Sequence, residues 1–284
     1  IIMKTVKEIL EQSDVVVISA GAGMSVDSKD KDGNNLPDFR GEKGFWKAYP
    51  LLGKKMISFS KIANPMTFKT DPSLAWGFYG SRFDLYKHTT PHKGFDALLE
   101  MVKNKPHFVV TSNVDGAFQK VGFDASKIYE IHGRINKFQC TVCDNVWQAD
   151  PNLKFDVDPE TLKPSCDLPR CTCGELARPN IMMFGDYDFH SVETTAQENE
   201  FNKFMRLYDK GEHNIVILEF GAGTAIPSIR LIGEFIHNNV EGARLVRINP
   251  RESQGPKNII SIAKGALDAI KNDIVPVDIA NKLF

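Results

Sequence analysis

Apolar positions along the chain fall into runs of two kinds. The first is unbroken and rich in β-branched residues: SDVVVISAGAG from Ser13, HFVVTSN (His107 to Asn113), NIVILEFGAG (Asn214 to Gly223) and, more weakly, ARLVRIN (Ala243 to Asn249). A strand apolar on every position, not every second one, suits a parallel sheet covered on both faces. The second kind repeats at helical spacing, in TVKEILEQ (Thr5 to Gln12), HKGFDALLEMVKN from His92 and SIRLIGEFIHNN from Ser228. Strands alternating with helices predict an α/β fold with a doubly wound, Rossmann-like parallel sheet. Ligands of such sheets bind beyond the carboxyl ends of the strands. That rule gathers residues 21–23, 111–115, 221–223 and Asn249 around one crevice.

Two regions break the pattern. Residues 45–90 are aromatic (FWKAYP, LAWGFYGSRFDLY) and read as a helical insertion covering the crevice. The stretch from Cys140 to Gly174 is rich in Pro, Asp and Cys, and reads as an inserted small module. The expected division is a nucleotide-binding unit of residues 1–44, 91–132 and 186–284, the insertion 45–90, and a metal module 133–185.

Composition narrows the class. With 284 residues, 42% hydrophobic and 25% charged, the chain can build a sizeable soluble core. A formal charge of −1 gives no footprint for nucleic acid or an anionic membrane, so neither is expected as a direct partner. No apolar run approaches the roughly 18 residues of a spanning helix, and no signal-peptide core begins the chain. All five cysteines lie between Cys140 and Cys173, which favours a metal site in a reducing, intracellular compartment, the cytoplasm first.

The candidate chemistry follows from these positions. GAGMS (Gly21 to Ser25) after a buried strand suits a diphosphate cradle, because small residues let backbone N–H groups approach phosphate. Val26 stands where a dinucleotide fingerprint has its third glycine, so a tight strand-to-helix turn is the alternative. Cys140-x-x-Cys143 with Cys171-x-Cys173 has the spacing of a structural zinc site; Cys166 is a rival ligand, and free thiols in a loop are the plain alternative. His132 precedes a glycine that permits close approach and is either catalytic or structural. Asn113 and Asp115 either face the crevice or cap a turn. SKDKDG (Ser28 to Gly33) nearly spells a calcium loop, but Ser28 and Phe39 stand where Asp and a bidentate Glu are needed. It is expected to be a solvated loop.

In order along the chain, these motifs resemble the sirtuin family, the NAD-dependent protein deacylases. GAGMSVDS…LPDFRG is similar to GAGxSxxSGIPDFRG, TSNVD to TQNVD, and IHG to the catalytic LHG. The cysteine pairs match the zinc module, CGELARPNIMMFGD resembles CGGxLRPxVVxFGE, FGAGTAIPS stands for GTSxxVxP, and RIN for a short I-N motif. The resemblance implies that Gly21, Ala22, Gly23 and Ser25 line the NAD phosphates, and that Asp38, Phe39 and Arg40 lie on the cofactor loop. Asn113 and Asp115 would hold the nicotinamide end beside Ser112, with Gly221, Gly223 and Asn249 on the ribose-adenine side. His132 would be the general base on a ribose hydroxyl. Ile181, Met183, Phe184 and Gly185 would edge the channel for an acyl-lysine protein or peptide.

This chain also departs from the pattern. Ser112 replaces Gln, GAG replaces GTS at 221–223, Asp186 replaces Glu, and about six residues are inserted between Ser28 and Pro37. These changes leave room for NAD glycohydrolase or mono-ADP-ribosyltransferase activity, or for a catalytically weak NAD-binding scaffold. Tyr79 and Arg82 resemble the Tyr-x-x-Arg pair with which some sirtuins grip acidic acyl groups; a helix-surface arginine beside a core tyrosine is the plain reading.

Overall fold

The computed structural model describes residues 5–37 and 41–284. Asp38, Phe39 and Arg40 of the cofactor loop lie outside the described residues. The strands are β1 (Val15–Ala20), β2 (His107–Thr111), β3 (Ile128–Glu130), β4 (Gly133–Cys140), β5 (Val146–Gln148), β6 (Ala177–Ile181), β7 (Ile215–Phe220), β8 (Ala243–Ile248) and β9 (Ile260–Ile262).

Six of them form one parallel sheet in the order β3-β2-β1-β7-β8-β9. From β1 the chain winds outward to β2 and β3, then returns to β7 on the other side of β1. The order therefore reverses between β1 and β7, and their carboxyl ends open the crevice. Every residue of β1, β2 and β7 is buried, as the unbroken apolar runs predict. One face packs on helix Lys93–Val102 through Phe95, Leu98 and Val102. The other packs on Ser228–Asn239 through Ile229 and Ile236, and on Val192–Arg206 through Phe201 and Met205.

The weakest sequence signal, ARLVRIN, forms β8 beside the centre of the sheet. Its one buried polar position has a physical account. Arg247 lies opposite Glu219 of β7 in register, and the buried pair is joined at 2.6 and 3.0 Å, with Glu234 as a third partner at 2.8 Å. β3 and β9, three residues each, fall below what periodicity detects. The cysteine module carries an antiparallel sheet, β5-β4-β6, that its composition did not announce.

Residues 41–88 are helical in five segments, ending in Pro72–His88. This last helix is apolar around its circumference because two sides are covered. Trp76 stacks on Phe155 and donates to the carbonyl of Ala177 at 2.9 Å. Gly77 and Gly80 leave room for the backbone of Leu162 and the ring of Phe155, which an added Cβ would meet at 1.8 and 2.5 Å. One aromatic core is thus shared between this helix and the antiparallel sheet.

The charged stretch after Asp27 forms a small hairpin. Lys29 pairs with Asn35 and Thr90 in backbone bridges, and Leu36 N–H donates to the carbonyl of Ser28. The Asp30 carboxylate accepts from the N–H groups of Asp32 and Asn34 at 2.9 and 2.8 Å, so its oxygens serve a turn.

Candidate active site

The site begins where two glycine turns meet backbone to backbone. Gly21 to Met24 leaves β1, and Gly221 to Gly223 leaves β7. Gly23 N–H donates to the carbonyl of Gly221 at 3.0 Å. A Cβ on Gly23 would lie 2.7 Å from the Cα of Gly221, and one on Gly21 would lie 2.8 Å from the Cα of Ala222. Glycine is required here by close approach, which explains the motif without a third glycine. Gly223 has open space beside it, with only Glu252 near, and is the glycine of the set facing outward. Asn249, at the end of β8, donates to the carbonyl of Ala222 at 3.0 Å and accepts from the N–H groups of Arg251 and Glu252.

His92 also holds the first turn. Its Nε2 lies 2.7 Å from the Met24 carbonyl, which only an N–H can satisfy, and its Nδ1 accepts from Gly94 N–H at 3.1 Å. Burial keeps this imidazole below its ordinary value, hence neutral. A histidine beside a proline carried no signal in the sequence for this contact.

Asn113 and Asp115 follow β2 and face the same crevice. Asn113 Nδ2 donates to the carbonyl of Gly21 at 3.0 Å. Ser25 Oγ donates to Asp115 Oδ2 at 2.7 Å. The other Asp115 oxygen accepts from Ala117 N–H at 3.0 Å, starting helix Ala117–Lys120. One Asp115 oxygen thus serves the turn into the helix, and the other is held by Ser25.

His132 sits in the turn between β3 and β4. Backbone bonds tether that turn on three sides: Ile131 to Thr111, Ile135 to Val114, and Met182 to the carbonyl of His132, at 3.0, 3.0 and 2.9 Å. Burial holds the imidazole below its ordinary value of 6.5, against a bond to the Ser112 backbone that favours protonation. A histidine neutral at physiological pH, with a fixed ring, is equipped to accept a proton. Glu130 and Arg134, on either side of it, form a buried fork-like ion pair that the sequence reading missed. The signal, opposite charges four residues apart around IHG, was visible but not helical.

The segment after β6 edges the same region. Ile181 and Met183 are buried, Phe184 is exposed, and Phe184 N–H donates to the carbonyl of Ala63 at 2.9 Å. Asp186, the shortened acid, accepts from Arg178 at 2.5 Å and from Met183 N–H at 3.1 Å, which fixes the bend at Gly185 (φ +64°). Tyr79 is buried, and desolvation pushes its phenol well above the ordinary value. Arg82 donates to the Tyr86 hydroxyl at 2.7 Å and lies over the Phe78 and Tyr86 rings. Tyr86 in turn is pushed up to about 12 by burial.

Cys140, Cys143, Cys171 and Cys173 bring four sulfurs within 4.8 Å of one another. The pairs 140–173, 143–171 and 143–173 stand 3.6, 3.7 and 3.8 Å apart. Zinc–sulfur bonds of about 2.3 Å in a tetrahedron place sulfurs roughly 3.8 Å apart, so the cluster fits zinc. Backbone N–H groups of Val142 and Cys143 point at Cys140 Sγ, and Asn145 donates to Cys171 Sγ, all at 3.4 Å. Cys166 is not in the group; it packs against the aromatic core. With all four positions protein-filled, the metal is structural.

Residues 21–208 match the Sir2 family. An NAD-dependent protein deacetylase of Saccharolobus solfataricus is 30% identical, with 89% of this chain and 87% of the relative covered. NAD-dependent protein deacylase 1 of Caldanaerobacter subterraneus subsp. tengcongensis is 28% identical over 88% of each. Among solved structures, a Sir2 homologue in complex with NAD shares the fold at a TM-score of 0.67, with 23% identity and coverage of 98% of this chain and 93% of that one.

Proposed function

The chain belongs to the Sir2 family, and from that premise we propose that it is an NAD-dependent protein-lysine deacylase. With one water, it converts NAD and the acyl-lysine to nicotinamide, an O-acyl-ADP-ribose and the free lysine. The observation that supports this reading is the meeting of Ser25, Asn113 and Asp115 beside two glycine turns at the switch point of the sheet, with His132 bonded to the backbone of Ser112, next to Asn113. NAD supplies the ribose carbon that the acyl oxygen attacks and the hydroxyl that receives the acyl group. The chain supplies the rest. Gly21, Ala22, Gly23, Gly221 and Gly223 make room for the diphosphate, and Asn249 shapes the adenosine side by holding Ala222. Asp115 and Asn113 orient the carboxamide end, Ser25 fixing the Asp115 carboxylate. His132, neutral through burial, takes the ribose hydroxyl proton. Residues 181–185 pair the backbone of the acyl-lysine peptide.

Residues 1–44, 91–132 and 186–284 serve as the nucleotide unit in this scheme, carrying the zinc module 133–185 and the helical insertion 45–90. Four thiolate ligands suit a reducing intracellular compartment. Tyr79 and Arg82 extend the reading to acidic acyl groups, because a ring-stacked, buried guanidinium favours a carboxylate. The test is NAD with acetyl- and succinyl-lysine versions of one peptide. Peptide-dependent nicotinamide release supports the proposal, and faster turnover of the succinyl form supports the acidic pocket. Release independent of peptide points to NAD glycohydrolase, and no release in any arm refutes the reading.

A further inference from the structure

Glu130 is buried, with its side chain 3% exposed, at the end of a strand two residues before His132. Its carboxylate makes contacts on three elements. Arg134 Nε lies 3.0 and 2.9 Å from its two oxygens, and Arg134 Nη2 lies 2.5 Å from Oε2. Gln119 donates to Oε1 at 2.9 Å from the helix whose first N–H, that of Ala117, donates to Asp115. Gln197, on helix Val192–Arg206, donates to Oε2 at 3.4 Å and accepts from Glu130 N–H at 2.9 Å.

The geometry has one consequence for the site. Residues 130–134 are not helical, so a charge pair four apart here closes a turn, and His132 is at its centre. Gly133, inside the turn, has φ +77°, and a Cβ on it would lie 2.1 Å from the carbonyl of Asn180. The turn is pinched from within by that contact and stapled across its mouth by Glu130 and Arg134. Gln119 links the staple to the segment that carries Asp115. One carboxylate therefore spans the two turns that bear His132 and Asp115. Arginine suits the post because its planar fork engages both oxygens, which a lysine cannot reproduce.

Building on the deacylase reading, we infer that Glu130, with Arg134 and Gln119, is a positioning unit that fixes His132 relative to the Asn113–Asp115 turn. Glu130 touches no reacting atom; it acts through His132. The proton transfer at His132 follows nicotinamide departure in this reaction, so the two half-reactions separate the roles. Glu130→Gln and Arg134→Met are each expected to slow peptide deacylation by about 10²-fold, the scale of an ångström-level misplacement. Exchange of labelled nicotinamide into NAD, measured with acyl peptide present, stays within about twofold of the parent.

The double variant Glu130→Gln/Arg134→Met, which leaves no lone buried charge, is no slower than either single one, because the pair acts as a unit. Arg134→Lys recovers part of the loss, and Gln119→Leu gives a smaller defect of the same kind. The parent protein is measured first: no peptide-dependent nicotinamide release there defeats the deacylase reading and not the staple. With an active parent, exchange falling in step with deacylation, or single effects that multiply in the double variant, overturns the positioning role.

Discussion

Replacing Gly23 by alanine tests whether the two glycine turns are a single packed unit on which NAD depends. The new Cβ would lie 2.7 Å from Gly221 Cα and 3.1 Å from its carbonyl oxygen, whereas ordinary contact begins at 3.4 Å. Both neighbours are backbone, so no side chain can swing aside, and the turns must separate by about 0.7 Å. That movement also stretches the 3.0 Å bond from Gly23 N–H to Gly221. Overpacking of this kind costs about 1–3 kcal/mol and a weakened backbone bond about 1 more, for a loss of roughly 2–4 kcal/mol. Urea unfolding, followed by intrinsic fluorescence, reads it as a lower midpoint at unchanged slope. The same titration at a hundredfold excess of NAD over its Kd should add about 2.7 kcal/mol to the parent and much less to the variant. Gly33→Ala is the control: φ is +80° with nothing within 4 Å, so it carries only local strain, and NAD stabilises it as it does the parent. A Gly23→Ala protein with parental stability and a full NAD response refutes the argument.

Four further outcomes follow from the same structure. His132 is held below 6.5 by burial and serves as base only when neutral, so kcat/KM is flat above that pH and falls as pH drops below it; an acid limb centred at or above 6.5 contradicts this. The unfolded chain binds the proton more readily than the folded one, so stability falls in the same direction as pH drops through 6.5. Cys143→Ser should abolish one zinc per chain, read by elemental analysis, and loosen the β5-β4-β6 sheet, whereas Cys166→Ser keeps the metal. Deleting Lys29 to Asn34 removes a hairpin whose Asp30 oxygens bind its own backbone, so NAD affinity by calorimetry stays within about threefold; a larger loss means the bridge from Lys29 to Thr90 supports the site.

How much of this was legible beforehand differs between elements for physical reasons. β1, β2 and β7 are buried on both faces, which writes an unbroken apolar run into the chain, and the short motifs at their ends are where ligands meet such a sheet. The four cysteines were legible because tetrahedral coordination demands paired ligands, although Cys166 was separable from Cys171 only by where the folded chain puts each sulfur. β3 and β9 are too short to show a period, and β8 carries Arg247, whose charge is tolerable only because register sets it against Glu219.

Composition, periodicity and motif order by themselves determined the fold class, the crevice, the metal and the family resemblance, because each rests on local spacing. Tertiary structure decided what local spacing cannot encode. It showed that glycine at 23 is demanded by Gly221, two hundred residues away in sequence, and that His92 secures the turn at Met24. It also showed that Glu130 ties the turn of His132 to the helix begun by Asp115. Each of these is a contact between segments brought together only by the winding of the sheet, and a side chain's partners across such a junction leave no period in the chain.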